Sequence, residues 1–121
     1  MAQHFKDLIV WQKAMELVDV VYDATESFPR AEIFSLTNQI RRAAVSIPSN
    51  IAEGQAHHSH REFLHFLQHS RGSLPELETQ LLIASSRKYL GEEQKQNVLT
   101  RINDLSRILN GLISSLKERT S

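Results

Sequence analysis

The chain has 121 residues, of which 40% are hydrophobic and 23% are charged. This length suits one domain with a single core, and this composition is too apolar for a disordered protein. The absence of cysteine excludes disulfide bonds and thiolate metal sites, while equal numbers of acidic and basic residues disfavour a dedicated nucleic-acid-binding domain and favour self-association.

The first residues, from Met1 to Asp7, lack a basic segment followed by an apolar run, so no signal peptide is expected. No stretch of the chain approaches the roughly 18 uninterrupted apolar residues that a membrane span needs. We therefore expect a cytoplasmic protein that makes no membrane contact.

Two neighbouring apolar stripes predict a first helix over residues 7–27. One stripe consists of Leu8, Trp11, Met15, Val18 and Tyr22, and the other of Val10, Ala14, Leu17, Val21 and Ala24. Together they form a wider apolar arc than one partner within the chain requires. We therefore expect an oligomer interface on this helix, at Val10, Trp11, Ala14, Leu17 and Val21.

A second helix is predicted over residues 32–55. Its buried face is expected to consist of Ile33, Leu36, Ile40, Ala43, Ala44, Ile47 and Ile51. Pro48 lies inside this stripe and is expected to bend the helix without ending it, because the stripe continues in register beyond it. Gly54 is expected to end the helix in a left-handed conformation.

A third helix is predicted over residues 59–88, opened by a capping box of Ser59 and Glu62 and closed by a C-cap signal at Gly91. Residues 72–76 contain two helix breakers, so the segment is either one kinked helix or two shorter ones. The continuous apolar stripe favours one helix.

The fourth helix, over residues 92–118, has the most regular apolar spacing. This stripe consists of Val98, Ile102, Leu105, Leu109, Leu112 and Leu116. No segment has the pattern of a β-strand. Four helices with short links predict an all-α, antiparallel up-down-up-down four-helix bundle that forms a single domain of residues 1–121.

Several segments resemble one known family of helical proteins. The resemblance is carried by residues 5–14, by Phe28, Pro29 and Glu32, by the segment Gln39–Gly54 and by parts of the segment Glu62–Glu78. The family is the four-helix bundle family named for proteins encoded in intervening sequences of bacterial 23S ribosomal RNA genes. The accessory protein of diversity-generating retroelements is a relative of it. The likeness covers nearly the whole chain, and the segment Gln39–Gly54 is its most specific part.

The resemblance implies a four-helix bundle that assembles into a ring-like homopentamer. It also implies possible partners, because the retroelement relative is associated with nucleic acid and a reverse transcriptase through a basic surface. This chain differs from that basic type in having no net charge. For most members of the family no biochemical activity is established.

Histidines at the start of the third helix suggest a metal site. His58, Glu62, His65 and His69 are spaced four, three and four residues apart, and Glu62 with His65 matches the pair used in di-iron bundles. Such a site needs a second pair and further carboxylates, which the sequence lacks. The same spacing is also typical of a solvated helix face, so no native metal and no other cofactor is expected.

Basic residues offer a candidate nucleic-acid-binding surface. It would consist of Arg41, Arg42, Arg61, Arg71, Arg87 and Lys88. The alternative is that the arginines pair with Glu53, Glu76 or Glu78 across helices or subunits. We favour the alternative, because acidic residues are abundant and few aromatic residues accompany the arginines in the sequence.

Catalytic motifs are absent from the sequence. Ser46 has no strand-turn-helix elbow and no histidine–carboxylate pair at a spacing that would activate it. We expect its hydroxyl group to bond a backbone carbonyl that Pro48 leaves free. Glycine motifs that bind phosphate are also missing. We therefore expect a protein that is not an enzyme, with no catalytic residue.

Three hypotheses follow from the sequence. The first is a homo-oligomeric scaffold whose surface recruits a partner, and the family resemblance implies five subunits. The second is an accessory protein that binds RNA or another nucleic acid, in association with ribosomal RNA or a reverse transcriptase. The third, and the weakest, is a histidine-based metal protein.

Overall fold

The computed structural model describes residues 4–120, and this range contains helices and no β-strand. The long helices are α1 (Ile9–Thr25), α2 (Leu36–Ala56), α3 (His60–Ser86) and α4 (Glu92–Thr120), with 3-10 turns at Phe5–Asp7 and Arg30–Glu32. Each helix packs against the next, and α4 also contacts α1. The predicted four-helix bundle is confirmed. The predicted domain of residues 1–121 also includes residues 1–3 and 121, which lie outside the described range.

The core lies between the four helices, and each helix contributes one apolar stripe to it. The largest fully buried side chains include Leu17 of α1, Ile47 of α2, Leu77 of α3 and Leu109 of α4. Burying a side chain of this size stabilises the folded state by about 1.5–3 kcal/mol. The apolar spacing read from the sequence identified the core faces of α2, α3 and α4, although on α4 Ile113 is fully buried and Leu112 only half-buried.

The start of α2 differs from its prediction, because the helix begins at Leu36 and not near residue 32. Ser35 has φ −128° and ψ −109°, which is not a helical conformation. The Glu32 carboxylate holds the preceding turn, since it accepts hydrogen bonds from the Leu36 amide at 3.4 Å and the Tyr89 hydroxyl at 3.0 Å. Ile33 was expected in the core but is 47% exposed.

Lys88, and not Gly91, terminates α3. Lys88 has a left-handed backbone with φ 66°, and the Tyr89 amide donates to the Ala84 carbonyl at 2.9 Å. A bond from an amide to the carbonyl five residues earlier is typical of a helix that ends at a left-handed residue. Gly91 has no positive φ, so the C-cap signal placed the turn three residues too late.

Both internal prolines lie within continuous helices. α2 runs through Pro48 and α3 runs through Pro75. The third predicted segment is therefore one helix, which is the alternative that its apolar stripe favoured. Its start is capped as predicted by Ser59, whose hydroxyl oxygen accepts a hydrogen bond from the Glu62 amide at 3.4 Å.

Candidate interaction surface on α1 and α2

The Gln39–Gly54 segment brings α2 close to α3. A Cβ atom added at Gly54 would lie 2.7 Å from the Cβ atom of Phe66 and 3.1 Å from Cδ1 of Phe63. Packed carbon atoms prefer about 3.5–4.0 Å, so no larger residue fits without movement. Gly54 lies inside α2 without a positive φ, so its predicted role as a helix end is wrong. Its role is close packing.

Serine hydroxyl groups join the same two helices. The hydroxyl oxygens of Ser46 and Ser73 lie 2.7 Å apart and hydrogen-bond to each other. The buried Ser70 hydroxyl donates to the Ile47 carbonyl at 2.8 Å. These bonds satisfy polar groups that close packing removes from water. Together with Gly54 they fix the position of α2 on α3.

Ser46 bonds a backbone carbonyl, but not the expected one. Pro48 leaves the carbonyl of Ala44 without its usual amide donor, because proline has no N–H group. The Ser46 hydroxyl instead donates to the Ala43 carbonyl at 2.7 Å. The position of the Ser46 hydroxyl group is therefore explained by its bond to Ala43 within α2 and by its bond to Ser73 of α3.

The predicted oligomer-interface residues divide into two groups in the structure. Val10, Ala14, Leu17 and Val21 lie in the core of the single chain, with at most 3% exposure. Trp11 is half-buried at the surface. Of these five residues, only Trp11 therefore retains appreciable surface for a second chain.

The neighbouring stripe of α1 forms an open groove with α2, which we call the seam groove. It is lined by Trp11, Met15, Val18, Val45, Pro48, Ser49 and Ala52, and has a volume of about 300 Å³. Met15 and Val45 are 38% and 39% exposed, respectively. The groove is therefore an apolar surface that the chain itself leaves partly uncovered.

A second concave surface, which we call the Phe34 pocket, adjoins the seam groove at Val45. It is lined by Tyr22, Ile33, Phe34, Thr37, Asn38, Arg41, Arg42, Val45 and Ser46, and its volume is about 550 Å³. Phe34 is 93% exposed in the short link before α2. The pocket thus combines aromatic, cationic and hydroxyl groups at one end of the bundle.

Arg41 is held in a fixed position at this pocket. Its Nε atom donates to the Thr25 hydroxyl oxygen at 2.9 Å, and its guanidinium carbon lies 4.5 Å from the centre of the Tyr22 ring. Arg42 is exposed beside it. The sequence interpretation missed these aromatic neighbours. One signal in the sequence could have indicated the pocket: Phe34 is a large apolar residue that does not belong to the buried stripe of the second predicted helix.

The other predicted nucleic-acid-binding residues are distributed along α3 and the turn that follows it. Arg61 and Arg87 are near opposite ends of α3, about 39 Å apart at 1.5 Å per residue. Arg71 donates to Oδ1 of Asn110 on α4 at 3.3 Å. Lys88 forms the turn after α3. The six basic residues therefore do not form one continuous patch, and only Arg41 and Arg42 share a pocket.

The family assignment follows from comparison with known proteins. A family model described as 23S rRNA-intervening sequence protein matches residues 6–111, which is most of the chain. The chain belongs to this 23S rRNA-intervening sequence protein family. The assignment confirms the resemblance carried by the Gln39–Gly54 segment.

A solved structure has the same fold as this family member. It is the crystal structure of a protein of unknown function from the S23 ribosomal protein family of Bacteroides thetaiotaomicron. The alignment has 21% sequence identity and a TM-score of 0.80, and covers 88% of this chain and 96% of the other. At this identity the likeness concerns the fold. No curated protein sequence matches the chain.

The histidines of this family member form ring contacts at the start of α3. The rings of His65 and His69 lie 4.7 Å apart, and His57 stacks on Phe66 at 5.3 Å. Within residues 4–119, no group of three histidine, aspartate or glutamate side chains is placed to hold a metal ion. None of the described helices is long and apolar enough to cross a bilayer.

Proposed function

We propose that this member of the 23S rRNA-intervening sequence family is a non-enzymatic scaffold that assembles with copies of itself through the seam groove. The observation that carries the proposal is the apolar lining of the groove, in which Met15 and Val45 stay about two-fifths exposed. Covering apolar surface releases about 25 cal/mol per Å². A partner that packs on the groove therefore gains free energy that the single chain does not.

A second copy of the chain is the partner that fits best. The net charge of zero gives copies of the chain little mutual repulsion. Ser49 and Ala52 are small and lie along the groove, so a helix of another copy can approach closely. The family resemblance adds the expectation of five copies in a ring.

Light scattering on untagged protein tests this proposal. We expect a mass several times the 13.9 kDa of the chain, and five times that mass for the expected ring. Met15→Glu and Val45→Glu place a charge in the groove, so each should shift the mass toward one chain. Leu82→Glu and Ile83→Glu are matched controls, because these α3 residues are exposed to a similar extent, at 43% and 46%.

Two results would count against self-assembly through the groove. A wild-type protein that stays at the mass of one chain at micromolar concentration would reject the scaffold. An oligomer that the two groove variants leave intact would move the contact to another face. Dissociation by the Leu82 and Ile83 controls alone would place it on α3.

A second candidate function is an accessory protein that binds RNA or another nucleic acid. It is supported by Arg41 stacked on Tyr22, with Arg42 beside it. Arginine and an aromatic face together suit both phosphate and base. We expect binding of RNA that weakens with salt and with the Arg41→Ala, Arg42→Ala double variant. Unchanged binding by that variant would reject this pair as the site.

A further inference from the structure

We infer that the Phe34 pocket binds one nucleotide of a single-stranded nucleic acid, by stacking the base on Phe34 and holding the phosphate with Arg41 and Arg42. This inference rests on the second function proposed above and gives it a defined site. Each copy in an assembly would then contribute one such pocket.

The two arginines supply the phosphate contact. The guanidinium group of Arg41 is already positioned by the Thr25 hydroxyl at 2.9 Å and by the Tyr22 ring at 4.5 Å. One nitrogen of the group is used in the Thr25 bond, and its other N–H groups can donate to an anion. Arg42 makes no ion pair or hydrogen bond within the described side chains, so its charge is uncompensated there.

Phe34 supplies the stacking surface. With 93% of its surface exposed, it is the most exposed large hydrophobic residue of the described chain. The link before α2 presents its ring at the edge of the pocket, where the chain leaves both the ring and the cavity open. A nucleic-acid base stacks on such a ring without a requirement for one base type.

Two polar residues of the pocket, Thr37 and Asn38, differ in their access to a ligand. Thr37 lines the pocket and is 4% exposed, yet its hydroxyl oxygen has no hydrogen-bond partner among the described residues. A buried hydroxyl group without a partner destabilises the folded state. The exposed side-chain amide of Asn38 can instead form a hydrogen bond with a base or ribose group in the pocket.

The size of the pocket and the charge of the chain restrict the ligand. A volume of about 550 Å³ lies within the range of small-ligand pockets and suits one nucleotide. Bases inside a duplex already stack on each other, so Phe34 can reach only an unpaired base. Because two arginines contact phosphate and the chain has no net charge, the salt dependence should be weak. We expect a slope of log K against log salt of about −1.4 for two contacts on a single strand.

The test measures binding of a fluorescent single-stranded RNA oligonucleotide, its duplex, and inorganic phosphate. Phe34→Ala and Arg42→Ala alter exposed side chains and should leave the fold intact. Each is expected to weaken RNA binding by about tenfold. Leu82→Ala and Arg61→Ala are controls of the same residue classes on α3, with no expected effect.

A groove variant separates this pocket from self-assembly. Met15 lies outside the pocket. The Met15→Glu variant should therefore bind a mononucleotide with unchanged affinity per chain, whether it is assembled or a single chain. Weaker binding of the RNA strand by Phe34→Ala and Arg42→Ala, with weaker competition from the duplex, would support the pocket.

Four results would overturn the inference. Absence of binding to any single strand at low salt would reject both the pocket and the second function. RNA binding that survives Phe34→Ala and Arg42→Ala would reject the pocket alone, as would equal affinity for the duplex. Competition by inorganic phosphate as strong as that by a mononucleotide would reduce the site to an anion site without base stacking.

Discussion

α2 contacts its two neighbours in different ways. Against α3 it presents Gly54, Ser46 and the Ile47 carbonyl, and the contact is closed and hydrogen-bonded. Against α1 it presents Val45 and Pro48 to a groove that is left open. One helix therefore has a face that completes the fold and a face that remains available for a partner.

The difference shows what the family motif does in this chain. The most specific segment, Gln39–Gly54, places Gly54 and Ser46 against α3, where a Cβ atom added at Gly54 would lie 2.7 Å from Phe66. Its arginines and Val45 line the Phe34 pocket, and Val45, Ser49 and Ala52 line the seam groove. A specific sequence motif is therefore partly a packing motif, and only part of it bears on recognition.

The largest expected effect on the folded chain comes from the closed contact. Gly54→Ala brings a Cβ atom to 2.7 Å from Phe66, and should lower the free energy of unfolding by about 1–3 kcal/mol. Urea denaturation measures this change. Gly111→Ala is the matched control, because nothing lies within 4 Å of its added Cβ atom, and it should gain about 1 kcal/mol. Equal stability of the two variants would contradict the close approach of α2 and α3.

A smaller effect is expected from the buried hydrogen bond of the same contact. Ser70→Ala removes the donor to the Ile47 carbonyl and should lower the free energy of unfolding by about 1 kcal/mol. Thr79→Ala removes a similar bond on the exposed side of α3, to the Pro75 carbonyl, and should change stability by less than about 0.5 kcal/mol. A larger loss of stability in Thr79→Ala than in Ser70→Ala would contradict this expectation.

The smallest expected effect on stability comes from the contact between Tyr22 and Arg41 at the Phe34 pocket. Tyr22→Leu removes the ring under Arg41 and should lower the free energy of unfolding by about 0.5–1 kcal/mol. Tyr22→Phe keeps the ring and should retain most of the stability. If both variants lose the same amount, the hydroxyl group of Tyr22, and not its ring, supports α1 on α2.

Much of the fold could be predicted from the sequence, because helix faces follow from apolar spacing. The stripe through Ile40, Ile47 and Ile51 indeed lies in the core. Helix ends were harder, because they depend on individual bonds. The start of α2 is set by the Glu32 carboxylate and Tyr89, which are 57 residues apart in the chain.

The candidate site was predicted only in part. Arg41 and Arg42 were identified as an adjacent basic pair within the family motif. Arg61 and Arg87 were grouped with them, although these two residues lie near opposite ends of α3. The pocket itself depends on how the link before α2 presents Phe34, which residue spacing does not reveal. On α1, two adjacent stripes were recognised, but which one faces the core depends on the neighbouring helices.

Acrylamide quenching of Trp11 tests the seam groove most directly. Trp11 is the only tryptophan of the chain and lines the groove, so its accessibility reports whether another copy covers it. We predict weak quenching in the assembled wild type and in Leu82→Glu, and strong quenching in Met15→Glu. Equal quenching of all three proteins, while the wild type is an oligomer, would contradict assembly through the seam groove.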